Sequence, residues 1–254
     1  TKFSYIRPSI CWNIYQDGYY VAYIEELNSM NDKYQQVLLK IKSDLIKYQN
    51  IHDEKKRLII VSKSQTTENI QKIISENNLE FGENYVEEGI IKIAELNNER
   101  LKWHFIGKIQ SNKIKKIVKY FDWVQTLSSL KHAKLIDDQC NIQNKKINIC
   151  VQINIDEEDS KGGIKIDEIE LFLNEISSYK NLVIRGIMSI PSKSNTLKEK
   201  INSYSILKLE YDKLTKIYKN VDTLSIGMSN DYDIALNYGS NMIRIGQLIF
   251  GERT

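Results

Sequence analysis

From Met30 onward, short apolar runs rich in β-branched residues alternate with longer stretches whose apolar residues recur at helical spacing. This rhythm repeats roughly eight times over about 220 residues. It predicts strands over 57–63, 80–82, 103–107, 123–126, 147–155, 182–190, 223–227 and 242–245, with helices between them and one before the first strand, where Tyr34, Val37, Leu38, Ile41, Leu45 and Tyr48 share a face. Strands separated by helices pair in parallel, and no change of composition marks a linker, so the pattern implies an α/β protein built as a single (β/α)8 TIM barrel. An open doubly wound sheet fits less well, because no G-x-G-x-x-G follows the first strand. Residues 1–29 are rich in Tyr and Trp but show no apolar period. They are expected to be an N-terminal extension outside the fold, leaving 30–254 as the barrel domain.

Composition removes several classes of function. The 36 basic and 33 acidic residues leave a net charge of +3, and no basic block is interleaved with aromatics, so no nucleic-acid partner is expected. Lys113, Lys115, Lys116 and Lys119 read as one solvated helix face. Cys11, Cys140 and Cys150 lack any Cys-x-x-Cys spacing and His52, His104 and His132 are scattered, which argues against a disulfide framework or a zinc site. A reducing, cytoplasmic setting fits. No apolar stretch approaches the ~20 residues of a membrane span, so no membrane partner is expected.

Within a barrel of this kind the chemistry sits where strands end and loops begin. The run Arg57-Leu58-Ile59-Ile60-Val61-Ser62-Lys63 delivers a lysine to such a place, with Ile59, Val61 and Lys63 on one face of the strand. An amine there either runs out into solvent or faces an apolar wall inside the mouth. Asn84, Gly107, Ser229 and Gly246 fall at equivalent ends. The loops Gly227-Met228-Ser229-Asn230-Asp231 and Arg244-Ile245-Gly246-Gln247 follow strands seven and eight, where barrels commonly hold phosphate on backbone N–H groups. Arg244 shares a face with Met242 and Gly246 and so points into the mouth. Its guanidinium needs a partner, either a barrel carboxylate or a ligand acceptor.

Several motifs in order carry a resemblance over the chain from Met30: Val61-Ser62-Lys63, Phe81-Gly82-Glu83-Asn84-Tyr85, Trp103-His104-Phe105-Ile106-Gly107 with Gln110-Ser111-Asn112-Lys113, Arg185-Gly186-Ile187-Met188 with Pro191, Ser225-Ile226-Gly227-Met228-Ser229, and Arg244-Ile245-Gly246 with Ile249-Phe250-Gly251. Together they resemble the pyridoxal phosphate homeostasis protein family, whose barrel is of the alanine racemase N-terminal-domain type. The resemblance implies that pyridoxal 5'-phosphate is the cofactor, held as a Schiff base on Lys63. It further implies that Ser229, Gly246 and Gln247 hold the phosphate, that Arg244 faces the pyridine nitrogen, that Asn84 lies beside the ring and that His104 stands near the pocket wall. A histidine in an aromatic strand can equally be a satisfied core residue.

The implied role is buffering and supply of pyridoxal phosphate without catalysis, by a monomer whose partners are apo enzymes that use the cofactor. The alternative is a racemase-like enzyme, which needs an acid/base group on each face of the substrate Cα; alanine racemase takes one of these from a second, β-rich domain, and this chain runs only to Thr254. A third option is a class I aldolase using Lys63 without cofactor. Two departures from the family bear on the site. Gln247 stands where threonine is usual, and the usual Lys-Thr-Lys-Pro run is here Lys63-Ser64-Gln65-Thr66.

Overall fold

In the computed structural model, which describes residues 33–75, 78–158, 161–192 and 196–251, helix α1 (Lys33–His52) leads into β1 (Arg57–Val61). There follow α2 (Thr67–Gln71), β2 (Glu80–Glu83), α3 (Val86–Leu96), β3 (Lys102–Phe105), α4 (Ile114–Tyr120), β4 (Trp123–Leu127), α5 (Leu130–Ile142), β5 (Ile147–Ile153), α6 (Ile169–Ile176), β6 (Leu182–Ser189), α7 (Leu197–Ile217), β7 (Thr223–Ser225), α8 (Tyr232–Asn237), β8 (Met242–Ile245) and α9 (Gln247–Phe250). The eight strands are parallel and form a closed barrel in chain order, with β8 returning to β1. The expected barrel is therefore observed. The boundary near Met30 and the expectation for residues 1–29 lie outside the described residues.

Strand alternation sorts each strand into two layers. Ile59 joins Trp123, Cys150, Met188 and Met242 in a cluster inside the barrel, whereas Ile60 belongs to the much larger core between the strands and the helices. The face of α1 read from the sequence is the buried one: Leu38 and Ile41 are fully buried, and Tyr34, Val37 and Tyr48 pack against the same core. α1 lies against α8 and α9, with Tyr34 edge-on to Phe250 and Tyr232 Oη donating to Asp44 Oδ2 at 2.8 Å. It thus covers wall that the four-residue α9 is too short to cover.

Local sequence explains the element ends. Thr66 caps α2 by accepting from Asn69 N–H at 3.3 Å, as the Thr66-Thr67-Glu68 start signal suggested. Thr196 and Glu199 form a capping box on α7, and Asn97 closes α3 in the left-handed conformation with φ of 39°. β1, β3 and β7 are shorter than the apolar runs imply, ending at Val61, Phe105 and Ser225, because Ser62-Lys63, Ile106-Gly107 and Ile226-Gly227 have already turned into the rim loops. β6 carries a bulge at Arg185, where the register against β5 steps from Ile149↔Ile184 to Cys150↔Gly186. Gly186 has φ of 149°, and a Cβ there would lie 1.8 Å from Thr223 O, so only glycine lets β6 approach β7.

Candidate functional site

The rim is assembled by register. Val61 pairs with Gly82, and Ile60 pairs with Ile245, which sets Gly246 against Val61: a Cβ on Gly246 would stand 2.8 Å from Val61 O. Lys63, two residues past Val61, therefore emerges between the end of β2, where Asn84 sits, and the loop after β8. Both Lys63 and Asn84 are partly buried. Asn84 is held close to the next loop, since a Cβ on Gly107 would come within 1.9 Å of Asn84 O. Across the rim, Ser229 Oγ accepts from Leu248 N–H at 3.1 Å and so ties the loop after β7 to the first turn of α9. The hydroxyl keeps its own hydrogen to donate. Gln247 opens α9, so the first-turn amides face the same place as Ser229.

Arg244 is 4% exposed, and among the described residues its hydrogen-bond partners are not carboxylates. Nη1 donates to Ser225 O at 2.7 Å and to Ser225 Oγ at 2.6 Å, and Nη2 donates to Ser189 O at 2.9 Å. The ion-pair alternative drawn from the sequence is thus not what holds it. Burial brings the guanidinium down to about 10, still charged at neutral pH. A desolvated cation that, among the described residues, is tethered through neutral oxygens is suited to a ligand acceptor.

The turn carrying Lys63 is fastened on both sides by residues that sequence reasoning missed. Ser62 Oγ donates to Glu83 Oε1 at 2.6 Å, and Lys92 Nζ donates to Ser62 O at 2.6 Å, Glu83 Oε1 at 2.7 Å and Glu88 Oε1 at 2.6 Å. Glu88 Oε1 also accepts from Ser64 N–H at 2.5 Å, where Ser64 takes a left-handed φ of 62°. Lysine has three N–H bonds to give, and all three are used. Burial raises the Glu83 carboxyl above its ordinary value against the pull of Lys92, and its Oε2 is buried without a hydrogen-bond partner. A signal was available: Glu83 follows Phe81 and Gly82, both buried, and Lys92 falls on the α3 face that buries Val86 and Gly89.

His104 is the satisfied core residue that the sequence also allowed. It is fully buried inside the barrel, stacked 5.1 Å from Trp123, with Nε2 3.0 Å from Glu80 Oε2 and Nδ1 2.9 Å from Gln125 Nε2. β3 pairs His104 with Gly82 and Trp123, and the ring therefore points to the barrel axis below the rim. Below it, at the N-terminal end of the strands, is a charged cavity of about 640 Å³ lined by Arg57, Glu80, Trp123, Arg185 and Asp222 among others. Its arginines are committed, Arg57 to Glu80 and Arg185 to Asp222, and both guanidinium groups stack on Trp123 at 4.6 and 5.0 Å. This floor reads as structural closure. Of the four lysines expected on one solvated helix face, Lys115, Lys116 and Lys119 are exposed, whereas Lys113 is half-buried just before α4 and pairs with Glu87. Among the described residues no helix is long and apolar enough to cross a membrane, and no cluster of three or more His, Cys, Asp or Glu could hold a metal.

Comparison with known proteins agrees with this fold. The family model of the alanine racemase N-terminal domain matches residues 37–254. The chain is 36% identical to the pyridoxal phosphate homeostasis protein of Haemophilus influenzae, over 82% of this chain and 89% of that one. It is 40% identical to the protein of the same name from Buchnera aphidicola subsp. Schizaphis graminum, over 88% and 98%. Among solved structures, PipY of Synechococcus elongatus with pyridoxal phosphate bound superposes with a TM-score of 0.77 at 28% identity, covering 86% of this chain and all of that one. Alanine racemase from Clostridium difficile shares the fold alone, with a TM-score of 0.67 at 16% identity over 56% of that longer chain. A barrel closed in this order, a lysine beyond its first strand and relatives of this closeness together mean that the chain belongs to the pyridoxal phosphate homeostasis protein family, on the alanine racemase N-terminal-domain fold.

Proposed function

We propose that this protein binds pyridoxal 5'-phosphate at the barrel mouth and holds it for delivery to other proteins, bonding the cofactor's aldehyde covalently to Lys63. The observation that carries this reading is the convergence of Lys63, Arg244 and the Ser229–Leu248 tie on one rim, enforced by the approach of Gly246 to Val61. The residues fit the group. Ser229 offers a hydroxyl hydrogen, Gly246 and Gln247 offer backbone N–H, and Gln247 adds a side-chain amide where the family usually has threonine. Asn84 borders the position of the ring. Arg244 faces the pyridine nitrogen, and since a guanidinium donates but does not accept, it leaves that nitrogen without a proton. The cofactor supplies an electron-withdrawing ring, which an unprotonated nitrogen weakens.

A weak electron sink suits storage better than turnover, and the relatives are named for homeostasis. We accordingly read the protein as a binder without turnover of its own, acting as a monomer on apo enzymes that use pyridoxal phosphate. Cys140 and Cys150 are buried free thiols, which supports a reducing cytoplasm. The purified protein mixed with pyridoxal phosphate should show a visible absorbance band and then restore activity to an apo enzyme added in excess. A band that forms but never yields cofactor would contradict the delivery role, and racemisation of an amino acid by the loaded protein would contradict the absence of turnover.

A further inference from the structure

The cofactor reading does not use His104, Gln125 or Ser225, yet these residues form one unbroken hydrogen-bonded line from the rim to the floor. Arg244 Nη1 donates to Ser225 Oγ at 2.6 Å, and Ser225 Oγ donates to Gln125 Oε1 at 2.6 Å. Gln125 Nε2 then donates to His104 Nδ1 at 2.9 Å, and its amide group also reaches Met242 Sδ at 3.3 Å. His104 Nε2 meets Glu80 Oε2 at 3.0 Å, and Arg57 Nε donates to Glu80 Oε1 at 3.1 Å. Ser225, Gln125 and His104 are all fully buried.

Donor and acceptor counting gives this line a direction. A guanidinium can only donate, so Ser225 Oγ must accept from Arg244 and send its one hydrogen to Gln125. The Gln125 carbonyl is thereby spent, and the amide nitrogen is what faces His104. Nδ1 must then be bare, with the ring proton on Nε2 and directed at Glu80. Adding a proton to Nδ1 would oppose two donors. Turning the Gln125 amide to accept that proton would direct its NH2 at Ser225 Oγ and take away the acceptor of the serine hydrogen. Each link therefore constrains the next.

We propose that Ser225, Gln125 and His104 are positioning residues for Arg244, holding its guanidinium in one orientation at the barrel mouth only while the His104 ring is neutral and carries its proton on Nε2. The proposal rests on the reading that Arg244 faces the pyridine nitrogen. The charged groups around His104 are Glu80, Arg57 and Asp122, with Trp123 stacked on the ring. Burial lowers the imidazole pKa below its ordinary value against the attraction of Glu80, in keeping with the direction of the line.

Two measurements on the full chain test it. Without cofactor, nitrogen NMR of the His104 ring at pH 6 should report a neutral ring protonated at Nε2; an imidazolium or a proton on Nδ1 overturns the proposal. Gln125→Glu keeps the acceptor for Ser225 but replaces the donor to Nδ1 by a second acceptor, so His104 should gain a proton and titrate above its ordinary range. A His104 titration unchanged from wild type in that variant also overturns it. With pyridoxal phosphate bound, Ser225→Ala and Gln125→Met should move the visible band in the same direction as Arg244→Gln and by less, while Lys63 stays reducible by borohydride. If Arg244→Gln moves the band and neither relay variant does, the relay is refuted and the cofactor reading stands. If Arg244→Gln itself leaves the band in place, the reading of Arg244 fails, and the NMR result alone decides whether the line exists.

Discussion

Replacing Lys92 by methionine keeps the length of the side chain and removes the charge that fastens the Lys63 turn. Lys92 and Glu83 are 5% and 0% exposed at their side chains, so the variant strands a carboxylate in the core. A buried ion pair stripped of one partner costs about 3–5 kcal/mol. The protein can limit this by protonating Glu83, which from an ordinary value of 4.5 costs about 3 kcal/mol at pH 7. The folded variant then holds a proton that the unfolded chain releases above pH 4.5, so its stability must fall as pH rises, by about 1.4 kcal/mol per pH unit. Urea unfolding of wild type and Lys92→Met at pH 5, 6, 7 and 8 reads this directly. The gap should be small at pH 5 and grow to at most about 3 kcal/mol at pH 7, since the raised Glu83 of the wild type shares part of the fall, and Lys92→Met combined with Glu83→Gln should recover most of it. A loss that does not change with pH, or one below about 1 kcal/mol at pH 7, would refute the claim that this cluster is a buried, charge-balanced fastening.

Two further outcomes follow from the structure and a third from the sequence pattern before Met30. Gly107→Ala places a Cβ 1.9 Å from Asn84 O, a backbone atom that cannot swing aside, so it should cost about 1–3 kcal/mol in thermal or urea melts and weaken pyridoxal phosphate binding by displacing Asn84; wild-type stability in this variant would contradict the close approach. His104 has a lowered folded-state pKa and an ordinary value of 6.5, so below that pH the unfolded chain gains a proton that the fold resists, and stability should decline as pH falls from 7 to 5 by at most about 1.4 kcal/mol per unit from this group. Burial pushes Glu80 up, but the hydrogen bonds from His104 and Arg57 outweigh it and hold it at about 2, so its contribution is lost only as pH falls from 4.5 through that value; a urea midpoint that stays flat from pH 7 to 5 and is unchanged by His104→Gln would contradict the His104 assignment. A chain beginning at Met30 should load pyridoxal phosphate and melt as the full chain does, and a large loss of either would make residues 1–29 part of the fold.

Much of the barrel was legible because local period and global fold agree. Ile59 and Ile60 alternate between the two cores as strand geometry requires, and Leu38 and Ile41 mark the buried face of α1 without ambiguity. Arg244 was legible for a different reason: it is a long cation placed by strand alternation on an interior face. The pairing of Lys92 with Glu83 was not, because it needs the turn of α3 laid over the end of β2 and the register of β2 beside β1. The line through Ser225, Gln125 and His104 was further out of reach. Ser225 and Gln125 stand 100 residues apart, and only closure of the barrel brings three polar side chains from β7, β4 and β3 onto one axis. The choice between the two readings of His104 was out of reach for the same reason, since a motif does not show at which depth of the barrel a ring sits.

The central claim is that Lys63 is the residue that bonds the cofactor. Borohydride reduction of the protein loaded with pyridoxal phosphate, followed by peptide mass mapping of wild type and Lys63→Ala, tests it most directly. The wild-type protein should carry a single pyridoxyl group on the peptide containing Lys63, and the variant should carry none while keeping the thermal stability of the cofactor-free wild type. A pyridoxyl group on another lysine of the wild type, or equal labelling of the variant, would contradict the account.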